Sequence, residues 1–379
     1  MNTPLAGLVV VAVEQAVAAP FCTARLADAG ARVIKIERPE GDLARFYDDA
    51  AAGSSSYFVW LNRGKESVVL DLRQESARRE LGALIAGADV MVQNLKPGAM
   101  QRMGLGIEEL RHHHPRLICC SISGYGETGP LSARKAYDLL VQAESGLASI
   151  TGGPNEPARV GISVVDIATG ATAHAAILEA LISRSQTGDG ADLRISMFDV
   201  IADWLTVPLL NAEAGKAPKR IGLAHPSIAP YGIFSTADDR QILISIQSES
   251  EWSAFCVYVL KIPTMVDDPR FSSNLARVAH RAETDAAVVK IFGALGAEVL
   301  IARLSAADIA FATLNDMTGL SKHPHLRCIQ VATEGGFVTL PAPAVIARGW
   351  ERHYGSVPAL GEHTDKVLEE IHVRESVTP

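Results

Sequence analysis

The chain has 379 residues, 48% of them hydrophobic and 21% charged, with a formal net charge of -8. That length is generous for one compact core, so two domains are expected. The acidic balance argues against a nucleic-acid partner, whose phosphates demand basic surface, and no run of about 18 uninterrupted apolar residues marks a membrane span.

The opening MNTPLAGLVVVAVEQ has no basic n-region and no small-residue cleavage site after its apolar run, so a signal peptide is not expected. The five cysteines show no CxxC spacing, which suits reduced thiols in a cytoplasmic enzyme. Strand and helix then alternate over the first 125 residues. LAGLVVVAVE reads as a strand and PFCTARLADAG as a helix closed by Gly30; ARVIKIER and SVVLDL are strands, and QESARRELGALIAG is a helix. ADVMVQN is a strand, GIEELRHHH a short helix whose histidines complement its C-terminal dipole, and RLICCSIS a strand. Near-continuous Val/Ile/Leu runs are what a parallel sheet covered on both faces requires, so the fold class is α/β, doubly wound.

Helices dominate from about 138 to 212. The stretch from Asn211 to Pro230, rich in Pro, Gly and Lys, marks a linker. YGIFSTADDRQILISIQ predicts an antiparallel hairpin with Asp238 and Asp239 in its turn, helices follow to about residue 320, and GGFVTLPAPAVIA predicts a further strand pair before a polar tail. The organisation is a large α/β domain over 1–210 completed by 330–379, a linker over 211–230, and a smaller α+β domain over 231–329.

Several stretches are candidates for chemistry. SGYGETGP holds a GxGxxG at Gly124, Gly126 and Gly129, but Pro130 fits a loop rather than a helix start and no acid follows at the dinucleotide spacing, so NAD is not expected. The glycines remain suited to a loop that brings backbone N–H groups to a substrate. Arg38, Arg73, Lys96 and Arg102 each follow a strand of the same sheet, where ligands of open α/β sheets bind, and together suggest a phosphorylated ligand. The histidine run offers no further ligands at workable spacing, so no metal is expected. In GISVVDIATGATAH, Asp166 stands before an apolar helix; by local sequence it is an N-cap or a chemical group. Asp138 in KAYDLLVQAESG invites the same cap reading.

Taken together, AAPFCTARLADAGARVIKIERPEGD, LDLRQ, ADVMVQNLKPGAMQRMGLG, PRLICCSISGYGETGP, KAYDLLVQAESGL and VVDIATG resemble the class III CoA-transferases, the family of formyl-CoA transferase and carnitine CoA-transferase. The likeness extends through GLAHPSIAPYGIF and nearly the whole chain. It implies a Rossmann-like large domain plus a small domain, in an interlocked homodimer. It implies that Asp166 is a nucleophile that accepts the acyl group of a CoA thioester and then CoA itself. It implies that Ala16, Val17, Arg38, Leu72, Arg73, Asn94, Leu95, Arg102 and Lys135 contact coenzyme A, and that Gln15, Tyr137, Gly124, Gly126 and His225 face the acyl group. A helix N-terminus would help keep the Asp166 carboxylate ionised, and the small residues Ala168, Thr169 and Gly170 would leave room for the thioester.

Racemases of the same superfamily carry a histidine where this chain has Tyr137, so transferase chemistry is favoured over a 2-methylacyl-CoA racemase or epimerase. A silent CoA-binding protein is a further alternative. The chain lacks the histidine and glutamine that formyl-CoA transferase carries around Gln15 to Val17, and SIQSESEW replaces its tetraglycine loop, which disfavours formate and oxalate. AHPSIAPYGIF and SIQSESEWSAF look more like the branch acting on C4 and C5 dicarboxylates such as itaconate, mesaconate, citramalate or succinate. The expected donor is succinyl-CoA or a related dicarboxyl-CoA. Arg45, Arg63 or His225 could hold a second carboxylate.

Overall fold

The computed structural model describes residues 3–350 and 352–377; residues 1, 2, 351, 378 and 379, which fall inside the expected large domain, lie outside the described residues. The chain forms two compact units. One comprises Met1–Ala148, Arg159–Val207 and Arg327–Pro379, the other Ser149–Ala158 and Pro208–Leu326.

The first unit begins with β1 (Val9–Val13), α1 (Ala18–Asp28), β2 (Arg32–Glu37), α2 (Ser56–Asn62), β3 (Lys65–Val69) and α3 (Glu75–Ala86). It continues through β4 (Val90–Gln93), α4 (Ala99–Arg102), α5 (Ile107–His113), β5 (Ile118–Ser123), α6 (Asp138–Glu144), the first half of α7 (Leu147–Ile150), the long α8 (Val164–Thr187), β6 (Asp192–Ser196) and α9 (Met197–Trp204). The six strands form one parallel sheet in the order β3-β2-β1-β4-β5-β6.

Successive strand residues face opposite layers, as the pleat demands. Val10, Ala12, Val33, Val92 and Cys120 bury against Cys22 and Leu26 of α1 and Ala173 and Ile177 of α8. Their neighbours Val11, Ile34, Ile36, Met91 and Cys119 bury against Leu81 and Ile85 of α3 and Leu110 of α5. Helix α8 is long and apolar enough by composition to cross a membrane, with a mean hydropathy of 1.3; its apolar face is a layer of this core.

The second unit holds α10 (Thr206–Glu213), which begins in the first, and an antiparallel sheet of β7 (Tyr231–Ser235), β8 (Gln241–Ser245) and β9 (Ala310–Thr313). Asp239 sits in the β7–β8 turn at φ 59, a left-handed position that Asp tolerates. Between β8 and β9 run α11 (Glu249–Ala254), α12 (Asn274–Ala279), α13 (Arg281–Phe292) and α14 (Ala297–Ala306); α15 (Met317–Ser321) follows. The chain then returns to the first unit as the hairpin β10 (Cys328–Thr333) with β11 (Gly336–Pro341), and ends in α16 (Thr364–Val377).

Three expectations need correction. The helical tract from 138 to 212 is broken by β6, an edge strand whose alternating Asp192 and Arg194 hid it. GGFVTLPAPAVIA supplies one strand, not two: its partner is Cys328–Thr333, and the prolines end the pairing. The polar tail contains a helix, because Val367 and Ile371, one turn apart, bury against the α3 side of the sheet.

Candidate active site

Strand order reverses between β1 and β4, so the loops leaving their carboxyl ends diverge and open a crevice. A cleft of about 540 Å³ lies along this edge, lined by Gln15, Arg38, Gly41, Leu72, Arg73, Leu95 and Met103 among others. A second cavity of about 620 Å³ adjoins it, sharing Gln15 and Leu95. Its lining includes Ala16, Val17, Asn94, Gly124, Lys135, Tyr137, Arg159 and Asp166.

These two spaces gather most of the residues expected at the site. Gly126 and Arg102 line neither. Gly126 is in a turn at φ 83, where its N–H bonds Ser123 Oγ at 3.1 Å. Arg102 is exposed on α4, and its neighbour Met103 takes the place on the cleft wall. His225 belongs to the second unit, where it stacks on Tyr231 with ring centroids 5.2 Å apart and accepts the Ser227 N–H at 3.1 Å. Tyr137 is exposed and lines the cavity, rather than being buried in the core.

Asp166 lies in the first turn of α8, yet it is not the cap. Ser163 takes the N-cap position without a side-chain bond. The orphan amides are satisfied from α6 instead: Asp138 Oδ1 accepts the N–H of Val165 at 2.7 Å and of Asp166 at 3.2 Å. Gln142 steadies Asp138 from one turn along, donating to Oδ2 at 2.6 Å. The Asp166 carboxylate is left with no hydrogen-bond partner among the described residues. Burial first, and the nearby Asp138 charge second, raise its pKa from 3.8 to about 7. Burial and Asp138 thus work against the ionisation expected from the helix N-terminus, and the carboxyl is about half ionised near pH 7.

Ala168, Thr169 and Gly170 do not open toward the cavity. They are buried, and a Cβ on Gly170 would stand 2.4 Å from the Ala18 carbonyl oxygen and 2.9 Å from Phe21 Cβ. Gly170 is there so that α8 can cross α1 closely.

The cations divide into engaged and open. Arg45 is bidentate to Glu37 (2.8 and 2.6 Å), and Arg63 is bidentate to Asp28, so neither is free for a second carboxylate. Arg73 pairs with Asp71 at 2.7 Å, Arg38 donates to the Gly41 carbonyl at 2.8 Å, and Arg134 meets Glu144 at 3.1 Å. Among the described residues Lys96, Lys135 and Arg159 line the Asp166 cavity without a carboxylate partner; Arg159 bonds only the carbonyls of Val160 and Gly161 at 3.2 and 3.3 Å. Reading the sequence missed Arg159, because a lone arginine in PNEPARVG looks like solvated surface. No group of three or more metal-ligating side chains occurs among the described residues.

The arrangement is a poorly hydrated carboxylate in a cavity with unpaired cations, joined to a cleft rimmed by arginines. It suits acyl transfer from a long anionic carrier. The sequence matches CoA-transferase family III over residues 5–364. It is 37% identical to an acetyl-CoA:oxalate CoA-transferase of Acetobacter aceti, over 92% of this chain and 90% of that protein. It is 33% identical to a succinate–glutarate CoA-transferase of Agrobacterium fabrum, over 99% of this chain and 98% of the other. A solved structure of a CaiB/BaiF family protein from Brucella suis superimposes with a TM-score of 0.84 at 34% identity, covering 98% of this chain and 100% of that one. The chain belongs to CoA-transferase family III and is an enzyme of that transferase class.

Proposed function

We propose that this enzyme moves CoA from an acyl-CoA donor, succinyl-CoA in the first instance, to a small C4 or C5 dicarboxylate such as itaconate or mesaconate. One observation carries the reading: Asp166 is a carboxylate with no hydrogen-bond partner among the described residues, desolvated at the wall of a cavity that adjoins the arginine-rimmed cleft. CoA would lie with its nucleotide end at Arg38, Leu72 and Arg73 and its thioester passing Gln15, Ala16 and Val17.

The steps balance without a net proton. An Asp166 oxygen attacks the thioester carbonyl carbon; the C–S bond breaks, giving an aspartyl–acyl anhydride and CoA thiolate. The thiolate attacks the Asp166 carbonyl carbon, releasing the donor acid and leaving an aspartyl–CoA thioester. The acceptor carboxylate attacks that carbon and expels the thiolate, which then takes the acceptor acyl group and restores Asp166. Exchanging one hard transfer for several acyl shifts is the advantage of a covalent nucleophile.

A dicarboxylate leaves one carboxylate outside the chemistry, and Arg159 is our candidate to hold it, because its guanidinium is open and a planar fork suits a carboxylate. The relatives bear on the acid class: their printed names include oxalate and glutarate, both dicarboxylates, so oxalate returns as an acceptor to test. A racemase would need two proton carriers at the substrate α-carbon, one of them usually an imidazole; beside Asp138 the cavity lining has Tyr137 and, among the described residues, no histidine. We further propose that residues 1–210, completed by 330–379, form the CoA-binding domain, with 211–230 as linker and 231–329 as a small domain, and that two chains interlock as a homodimer.

The test is direct. Succinyl-CoA or acetyl-CoA is incubated with glutarate, itaconate, mesaconate, citramalate or oxalate, and new CoA esters are followed by mass spectrometry. At least one dicarboxyl-CoA is expected, with hydroxylamine trapping modifying Asp166. Full exchange by Asp166→Ala, or modification at another residue, would falsify the mechanism.

A further inference from the structure

A buried group of charges takes no part in the steps above, although three of its members, Glu14, Glu37 and Asp42, form part of the cleft wall. Glu14, Lys35, Glu37, Asp42 and Lys65 are all at most 5% exposed. Lys65 Nζ meets Glu14 Oε1 at 2.6 Å, Thr23 Oγ1 donates to Glu14 Oε2 at 2.6 Å, and Lys35 Nζ meets Asp42 Oδ2 at 2.8 Å. Glu37 Oε2 accepts the Asp42 N–H at 3.0 Å. Buried ion pairs seldom stabilise a fold more than apolar residues of similar volume, so their placement calls for a reason.

The chain of contacts ends on the backbone of the proposed thioester site. Asp42 Oδ1 accepts the N–H of Ala16 at 3.0 Å and of Ala44 at 3.0 Å. Ala16 has φ 62, a left-handed conformation that a residue with a Cβ adopts only when it is held there. From the opposite side Asn94 grips Gln15, accepting its N–H at 2.9 Å and donating to its carbonyl at 2.8 Å. Two successive residues on the cavity wall are thus clamped, Gln15 by a neutral amide and Ala16 by a buried carboxylate.

We infer that Asp42 is a positioning residue for the transfer reaction: locked by Lys35, it holds Ala16 left-handed and so fixes the Gln15–Val17 backbone against the cavity containing Asp166. The inference rests on reading that cavity as the thioester site. Both Asp42 oxygens are bonded within the protein, so its action on substrate runs through the backbone.

The test uses the full chain with the acceptor and donor that support exchange. Asp42→Leu, which removes the acceptor that an asparagine would keep, is expected to lower kcat about 10- to 100-fold, the loss that a misplacement near 1 Å produces, with KM for the donor and the Kd for free coenzyme A changed less than about threefold. The coupling is the decisive readout. Glycine takes a left-handed φ without the Cβ penalty, so in an Ala16→Gly background the loss caused by Asp42→Leu should shrink about tenfold. A crystal structure of Asp42→Leu should show Ala16 away from φ 62, a readout that stands even if no exchange substrate is found. Because Asp42→Leu leaves Lys35 partly unpaired, the double change Lys35→Met with Asp42→Leu is made alongside it and should lose kcat equally. Equal losses with alanine and glycine at 16, a loss confined to coenzyme A binding, or an unmoved Ala16 would each overturn the inference. Failure of the wild type to exchange CoA with any acid would instead sink the proposed function.

Discussion

At Asp166 the reaction makes opposed demands: the nucleophile must be charged, yet poorly covered by water. The structure meets them with a carboxyl group whose pKa is raised to about 7 by burial and then by Asp138. Only the ionised form attacks, so kcat/KM should rise through an apparent pKa near 7 between pH 5 and 9. Asp138→Asn keeps an acceptor for the α8 amides and removes the neighbouring charge, so this limb should move to lower pH, as a pH–rate profile would record. The same shift has a stability consequence. A carboxyl raised in the folded state binds more protons there than in the unfolded chain between pH 3.8 and about 7, so folding stability falls as pH rises across that window. Asp166→Asn removes the penalty and should stabilise the protein by roughly 2–4 kcal/mol at pH 8 with no gain at pH 4, measured by denaturant unfolding at both pH values. Arg159 is tested by its choice of acid. Arg159→Met should lower kcat/KM for a dicarboxylate acceptor about 10- to 100-fold, while a monocarboxylate of equal chain length changes little. Equal losses for both acids would remove Arg159 from the acyl pocket.

Among the elements, the α1–α8 crossing sets where Asp166 stands. Gly170 permits that approach, with a Cβ there meeting backbone at 2.4 Å, so Gly170→Ala should cost about 1–3 kcal/mol through overpacking, and the accompanying shift of α8 should lower exchange activity as well. Unchanged melting and activity would show that the helices separate without penalty. The sequence made the central strands legible, because β1, β2, β4 and β5 are mostly apolar, β2 being interrupted by Lys35. It concealed β6, where Asp192 and Arg194 break the run at the sheet edge, and α16, whose burial rests on Val367 and Ile371 with the partly buried Leu368 beside them. The cap on α8 was illegible for a different reason. Asp138 and Val165 are 27 residues apart, and nothing in either segment announces their hydrogen bond. Asp166 itself came from its resemblance to a family motif; its environment came only with the fold.

For the whole molecule the open question is what covers the apolar surface of the first unit. Leu139, Leu140, Ile162, Ile182 and Trp204 are between 46% and 62% exposed, and α8, so apolar along its length, leaves Ile182 facing outward. Scattered exposed leucines are ordinary, but several large exposed side chains on one unit are what the proposed homodimer would cover. A homodimer would bury them, and its mass would be twice the 40.3 kDa of the chain. Interlocking goes further than dimerisation and is separately testable. Two chains that merely touch dissociate on dilution and reassort, whereas threaded chains separate only after one unfolds. Tagged and untagged dimers mixed under native conditions should therefore yield no mixed species over hours, and should yield them once the mixture is unfolded and refolded. Native mass spectrometry reads both arms. Reassortment without denaturant would leave a dimer standing but end the interlocked arrangement, and the Asp166 cavity would then have to be complete within a chain free to come and go.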